Sequence, residues 1–319
     1  MNPTISIQDL RNGSILALSK AITLVESHKK EHRIEAHELL KACMPHSGKS
    51  IRIGITGVPG AGKSTFIESF GKLLHSENRR IAVLAIDPSS SKNRGSILGD
   101  KTRMNELSAL PNVFIRPSPA GDELGGVHRA TRESIILCEA AGYDTIIIET
   151  VGVGQSEWAV HNMTDVFLLL AISGAGDELQ GIKRGIMEMA DIIAINKSDG
   201  DNEIKAQQAA QQIRSALHFF SSNEGDWMPR VINCSSLYNQ HIDEVWRIIQ
   251  QFIEHQKIKN LFESNRQKQQ LDWFNTSLRN SLIEFVTQGH LDDIKNVQEK
   301  ILAKDMTPQE AVDFVLSKI

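Results

Sequence analysis

The sequence predicts a doubly wound α/β domain built on a mostly parallel sheet, with helical extensions at both ends. Two patterns lead there. Seven short β-rich runs recur through the middle of the chain, each nearly continuously apolar, as strands buried on both faces are. Helical periodicity fills most of the intervals between them, and alternating strand and helix marks a parallel sheet wrapped by helices. A third observation, a glycine-rich phosphate motif between the first strand and the next helix, locates the working end of the sheet.

The elements follow in order. Residues 1–50 read as a helical extension, with helix from 7 to 25 and again from 31 to 43, ending in the linker signal Pro45-His46-Ser47-Gly48. Residues 51–255 hold the expected strands 51–56, 81–86, 113–116, 145–149, 166–172, 192–196 and 231–234. The helices expected between and after them are 64–75, 127–141, 178–189, 203–217 and 241–255. Residues 256–319 are polar with helical periodicity. Leu271, Phe274, Leu278, Leu282 and Phe285 step by three or four, as do Ile294, Val297 and Ile301. Thr307-Pro308-Gln309-Glu310 reads as a capping box with proline at the first helical position. This tail is too short for a core of its own, so it packs on the main domain or on a second copy of the chain.

Composition narrows the function. The chain has 319 residues and 35 basic against 39 acidic side chains, a formal charge of −4. That balance gives no drive toward nucleic acid or anionic lipid. Three dispersed cysteines, Cys43, Cys138 and Cys234, form no CxxC pair, which suits a reducing compartment and offers no zinc framework. No apolar run reaches the ~18 residues of a membrane helix, and no signal-peptide pattern opens the chain. The expectation is a cytoplasmic protein, with a mature organellar one as the alternative.

The phosphate site is Gly57-Val58-Pro59-Gly60-Ala61-Gly62-Lys63-Ser64, a full match to G-x-x-x-x-G-K-[ST] between a strand and a helix. Its glycines turn the backbone so that successive N–H groups face one anion, and the helix N-terminus adds partial positive charge. Lys63 is expected on the β and γ phosphates and Ser64 on Mg2+, with Thr65 completing the nucleotide-binding stretch. Two carboxylates end strands: Asp87, before Pro88-Ser89-Ser90, and Glu149, before Thr150-Val151-Gly152. An acidic residue in such a place holds Mg2+ directly or through water. Asp87 also fits an Asx-Pro turn, whereas a buried Glu149 without a cation would be costly. Gly152 can present its N–H to the γ-phosphate. Asp100, in a loop-like stretch, is ambiguous on its own.

The base site is Asn196-Lys197-Ser198-Asp199, which is N-K-x-D placed after a strand roughly 130 residues beyond the phosphate motif. Asp199 can accept from both the ring N–H and the amino group of guanine. Adenine would leave that carboxylate unpaired, at about 1–3 kcal/mol. Lys197 can lay its stem along the base, and Asn196 can tie loops together. Ser235-Ser236-Leu237, after the last strand, fits the loop that closes over the base. The ligands implied are GTP and GDP with Mg2+.

These residues resemble a known family, the MeaB/ArgK-type GTPases, chaperones of cobalamin-dependent acyl-CoA mutases. The resemblance runs through Gly57–Thr65, Asp87–Ser90, Gly99–Met104, Glu149–Gln155, Gly174–Gly181 with Lys183, and Asn196–Asp199, and spans nearly the whole chain. Ordinary Ras-like GTPases have Asp where Glu149 stands and Gln directly after the glycine; here Val153 follows Gly152. The resemblance implies magnesium and switch roles for Asp87, Asp100 and Glu149, and a switch stretch at Gln155. It also implies an extra switch over 174–183 containing Asp177, Gln180 and Lys183. Lys183, with Lys63 and Glu149, is implied in catalysis, Lys183 assisting when the partner is bound. A homodimer through the C-terminal arm and methylmalonyl-CoA mutase as partner are implied in the same way. From the residues alone, 174–183 is a glycine-bearing charged loop leading into a helix.

Two other classes compete. A kinase of a transport-system protein, which the ArgK name suggests, would need an acceptor site that the sequence does not offer. A nickel or cobalt insertion GTPase would favour His-rich or Cys-rich motifs, and the eleven histidines here are scattered. With no Gln beside Gly152, slow hydrolysis by the isolated protein and acceleration by a partner are expected.

Overall fold

The computed structural model describes residues 5–27, 29–87, 104–119, 124–150, 156–173, 184–218 and 226–318. Two compact units divide the chain, Met1–Arg266 and Gln267–Ile319.

The first unit is built on seven strands: β1 (Ile51–Gly57), β2 (Ile81–Asp87), β3 (Val113–Pro119), β4 (Thr145–Glu149), β5 (Val166–Ile172), β6 (Ile192–Asn196) and β7 (Arg230–Asn233). They form one sheet in the order β3-β2-β4-β1-β5-β6-β7, with every pairing parallel. This is the doubly wound architecture read from the apolar runs. The chain winds outward from β1 in both directions, so the crevice at the C-terminal end of β1 is where such a sheet binds ligands.

The continuous apolar runs are explained by burial on both faces. On one face Ile53, Ile55, Ile147 and Leu168 pack with Phe66 and Phe70 of the helix Lys63–Ser76 and with Trp246, Ile249 and Phe252 of the helix Ile242–Ile258. On the other face Ile146, Ile148 and Phe167 pack with Leu10, Leu18 and Ile22 from the N-terminal helices and with Leu137 of the helix Leu124–Ala140. The helix Glu203–Leu217 covers Leu169, Ile193 and Ile195 through Ala206, Ala210 and Ile213.

Some boundaries differ from the sequence reading: the strand expected over 113–116 runs to Pro119, and the helix expected over 178–189 is described over Arg184–Met189. The helix expected over 7–25 is two helices, Ile7–Arg11 and Ile15–Val25. Gly13 takes φ +81 and Ser14 caps the second helix by accepting from the Ala17 N–H. A left-handed glycine followed by a hydroxyl cap ends one helix and starts another. Two short helices, Asn105–Ser108 and Ser156–His161, carry too little periodicity to be read from sequence.

The base of the sheet is tied by a buried ion pair. Arg266 donates to both carboxylate oxygens of Asp165 at 2.7 Å and to the carbonyls of Gly48 and Ser50 at 2.6 Å. Arg52 pairs nearby with Glu139 at 2.9 Å.

In the second unit the helices Leu291–Leu302 and Pro308–Leu316 pack through Val297, Ala311 and Val315. The capping box is formed as the sequence suggests: Glu310 N–H donates to Thr307 Oγ1, and Thr307 N–H donates to Glu310 Oε2 at 2.9 Å. The helix Leu261–Gly289 leaves Leu271, Phe274, Leu278, Leu282 and Phe285 exposed. No helix among the described residues is long and apolar enough to cross a membrane.

Candidate functional site

The site gathers where strands end. β1 pairs with β4 so that Ile55 lies opposite Glu149, and the phosphate loop and the carboxylate leave the sheet side by side. β5 pairs with β6 with Ile172 opposite Asn196, which brings the base motif to the same edge.

Two glycines of the loop cannot be replaced without displacing neighbours. A Cβ on Gly57 would stand 2.3 Å from the Leu170 carbonyl oxygen. Gly62 has φ +87, and a Cβ there would meet the Asn196 amide nitrogen at 2.7 Å. Gly62 is also the N-cap of the helix Lys63–Ser76, so the helix starts directly from the loop and aims its N-terminus at the crevice. Lys63 folds over the loop and donates to the Gly57 carbonyl at 2.8 Å and the Val58 carbonyl at 3.4 Å. Burial pushes its pKa below the usual lysine value, and the charges of Glu149 and Glu157 pull it part of the way back.

Ser64 donates to Glu149 Oε1 at 3.3 Å. Both oxygens are hard donors that suit Mg2+, which takes one or two protein ligands and fills the rest of its shell with phosphate and water. Among the described residues no three His, Cys, Asp or Glu side chains gather into a metal-holding group. These two donors fit a site that the nucleotide and water complete. Asp87 ends β2, and its side chain lies outside the described residues. So do Asp100, Gly152, Gln155, Asp177, Gln180 and Lys183 in full.

Asn196, 1% exposed, is the knot of the base side. Its amide nitrogen donates to the Ala61 carbonyl at 2.8 Å, reaching the phosphate loop. Its amide oxygen accepts from the Ser236 N–H at 3.0 Å, the Ser236 hydroxyl at 2.8 Å and the Cys234 thiol at 3.8 Å. Ser235 donates its hydroxyl to Asp199 Oδ2 at 2.5 Å, which fixes that carboxylate. Ser69, on the helix behind the phosphate loop, donates to the Ser236 carbonyl at 2.6 Å. Leu237 is exposed and Thr65 is exposed. Lys197 takes φ +59.

Several contributors were missed in the sequence. Thr150 donates to Thr56 at 2.8 Å, a buried hydroxyl pair that joins the end of β4 to the end of β1. Glu157, 1% exposed, puts its charge near Lys63. Cys234 and Ser69 reinforce the base loop. The available signal was a polar residue closing an apolar run, as Thr56 does, and that signal does not name its partner.

Comparisons with known proteins bear on the family and the fold. The family described as "Methylmalonyl Co-A mutase-associated GTPase MeaB" matches residues 18–290. "GTPase ArgK" of Escherichia coli (strain K12) is 50% identical over 268 residues, covering 84% of this chain and 81% of its own. "Methylmalonic aciduria type A homolog, mitochondrial" of Mus musculus is 44% identical over 319 residues, covering 96% of this chain and 77% of its own. Among solved structures, "LAO/AO transport system kinase" superposes with a TM-score of 0.78 at 37% identity, covering 98% of this chain and 95% of that one. A nucleotide crevice with these motifs, matched over most of its length by one family, makes the chain a GTPase of the MeaB family.

Proposed function

We propose that this GTPase is a nucleotide-driven switch that chaperones a cobalamin-dependent acyl-CoA mutase, with methylmalonyl-CoA mutase as the partner. In this role it gates cofactor loading and protects or reactivates the mutase, and it works in the cytoplasm as a homodimer. The observation that carries the reading is the match over residues 18–290 to a family described by its association with that mutase.

The contacts around the motifs support a division of labour. The loop N–H groups between Gly57 and Thr65, Pro59 excepted, and the helix N-terminus hold the phosphates. Lys63 leaves the Gly57 and Val58 carbonyls for the phosphate charge, which restores the charged state that burial disfavours. Ser64 and Glu149 hold Mg2+, with Asp87 and Asp100 contributing by family resemblance. Bound there, Mg2+ supplies Lewis-acid neutralisation of charge on the phosphoryl oxygens. Asp199 reads guanine with Asn196, Lys197, Ser235, Ser236 and Leu237 around it. Gly152, Gln155, Asp177, Gln180 and Lys183 act in the switch segments by the same resemblance, Lys183 joining catalysis when the partner is bound. Phosphoryl transfer to water is mostly positioning and charge neutralisation, so a partner that orders these segments raises the rate.

Support for the dimer is the stripe Leu271, Phe274, Leu278, Leu282 and Phe285, exposed and spaced by three and four. A second copy of the chain is the occupant this stripe fits.

The test is the rate of GTP hydrolysis, alone and with purified methylmalonyl-CoA mutase of the same organism. Stimulation of about tenfold or more supports the chaperone reading. Slow turnover that the mutase leaves unchanged sinks it. Transfer of γ-phosphate to a transport protein in its place would favour the kinase alternative.

A further inference from the structure

The base-reading loop contains one residue in a costly backbone conformation. Lys197 has φ +59, a region that side-chain-bearing residues seldom occupy without surrounding support. The support is visible. The Asn202 side chain donates from Nδ2 to the Lys197 carbonyl at 2.6 Å. The next residue, Ser198, donates its N–H to the Cys234 carbonyl at 3.0 Å.

Asn202 is itself held from a second direction. Ser173, directly after β5, donates its hydroxyl to Asn202 Oδ1 at 2.7 Å. The Asn202 N–H donates to the Asp199 carbonyl at 3.1 Å, at the end of the short 3-10 turn Gly200–Asn202. One amide thus spans the ends of two neighbouring strands. Its polarity is fixed: a carbonyl only accepts, so the amide nitrogen must face Lys197 and the amide oxygen must face Ser173. Lys197 also lies close to the phosphate loop, its Cε 3.8 Å from where a Cβ on Gly62 would stand.

We propose that Asn202, seated on Ser173, is a positioning residue for guanine recognition. It holds Lys197 in the left-handed conformation, so that the Lys197 stem and the Asp199 carboxylate meet the base together. The inference rests on the reading of Asn196–Asp199 as the base-reading loop. Asn202 acts through the Lys197 carbonyl and need not touch nucleotide.

The test uses fluorescent GDP and GTP release from the full chain, with inosine triphosphate as the competitor that lacks the 2-amino group. Asn202→Ala should weaken GTP and GDP by about tenfold, mainly through faster release, and narrow the preference for GTP over inosine triphosphate by about fivefold. Asn202→Asp keeps the acceptor for Ser173 but sets a carboxylate against the Lys197 carbonyl, so it should lose at least as much. Ser173→Ala should cost about two- to threefold. Glycine accepts φ +59 freely. In a Lys197→Gly background, Asn202→Ala should therefore add a loss of less than about twofold. Thermal midpoints of each variant report folding separately.

An unchanged base preference and release rate in Asn202→Ala would overturn the proposal, as would an equal loss in the Lys197→Gly background. A wild-type chain that does not prefer GTP over inosine triphosphate would instead overturn the base-loop assignment on which the proposal stands.

Discussion

The hydroxyl of Ser64 lies 3.3 Å from Oε1 of Glu149, so an oxygen from the phosphate-loop helix and one from the end of β4 converge on one point. Ser64→Ala and Glu149→Gln should each raise the Mg2+ concentration needed for half-maximal GTP hydrolysis by about tenfold or more. A Mg2+ titration of turnover reads this directly. Unchanged Mg2+ dependence in both variants would remove the pair from the metal site.

Asp199 is held by Ser235, and the two should separate by size of effect. Asp199→Asn should weaken GTP by about a hundredfold and favour xanthine nucleotides, because it exchanges a double acceptor for one acceptor and one donor. Ser235→Ala removes only the hydroxyl that orients the carboxylate, and should cost about five- to tenfold. Competition binding with guanine and xanthine diphosphates measures both.

Arg266 and Asp165 are a buried pair, their side chains 8% and 2% exposed. Arg266→Met leaves the buried Asp165 without its ion-pair partner, and the Gly48 and Ser50 carbonyls without this donor. The expected loss is about 3–5 kcal/mol of stability, read from denaturant unfolding. Arg266→Lys should recover little, since one ammonium cannot reproduce the two-pronged contact and reach both carbonyls.

Glu133 gives a pH dependence with a definite sign. Burial in the helix Leu124–Ala140 pushes its carboxyl up to about 7, against the pull of Arg33, and Arg129 stands 4.0 Å away. Between the ordinary carboxylate value and about 7, the folded state holds more protons than the unfolded chain, so this group's contribution falls as pH rises. Glu133→Gln should match wild type near pH 4 and be more stable above pH 7, by about 1–3 kcal/mol. Unfolding curves across that range would expose the opposite slope if Arg129 and Arg33 kept the carboxylate charged.

The arm stripe predicts an assembly. Phe274→Glu with Leu282→Glu should turn a dimer into a monomer while leaving GTP binding intact. Light scattering of both proteins at matched concentrations would decide it, and a wild-type monomer would end the proposal.

The nucleotide motifs were legible because each is local. Gly57–Ser64 and Asn196–Asp199 carry their own geometry, and the apolar strand runs placed them at one sheet edge. What joins them was not legible. Asn196 binds Ala61 and Ser236, and Thr150 binds Thr56, across separations that only the strand order β4-β1-β5-β6 creates. Nothing in the run from Gly200 to Asn202 tells a reader that the last side chain points back at Lys197. The break at Gly13-Ser14 was readable in principle, but the apolar spacing continues across it and hid the cap.

The N-terminal helices share one apolar core with the sheet: Leu18 and Ile22 lie against the same cluster as Ile148 and Phe167. A minimal catalytic fragment starting at β1 would therefore expose a greasy wall where β4 and β5 now find cover. The N-terminal helices are thus part of the sheet's own cover, and shortening the gene from that end would yield an aggregating product in place of a smaller enzyme.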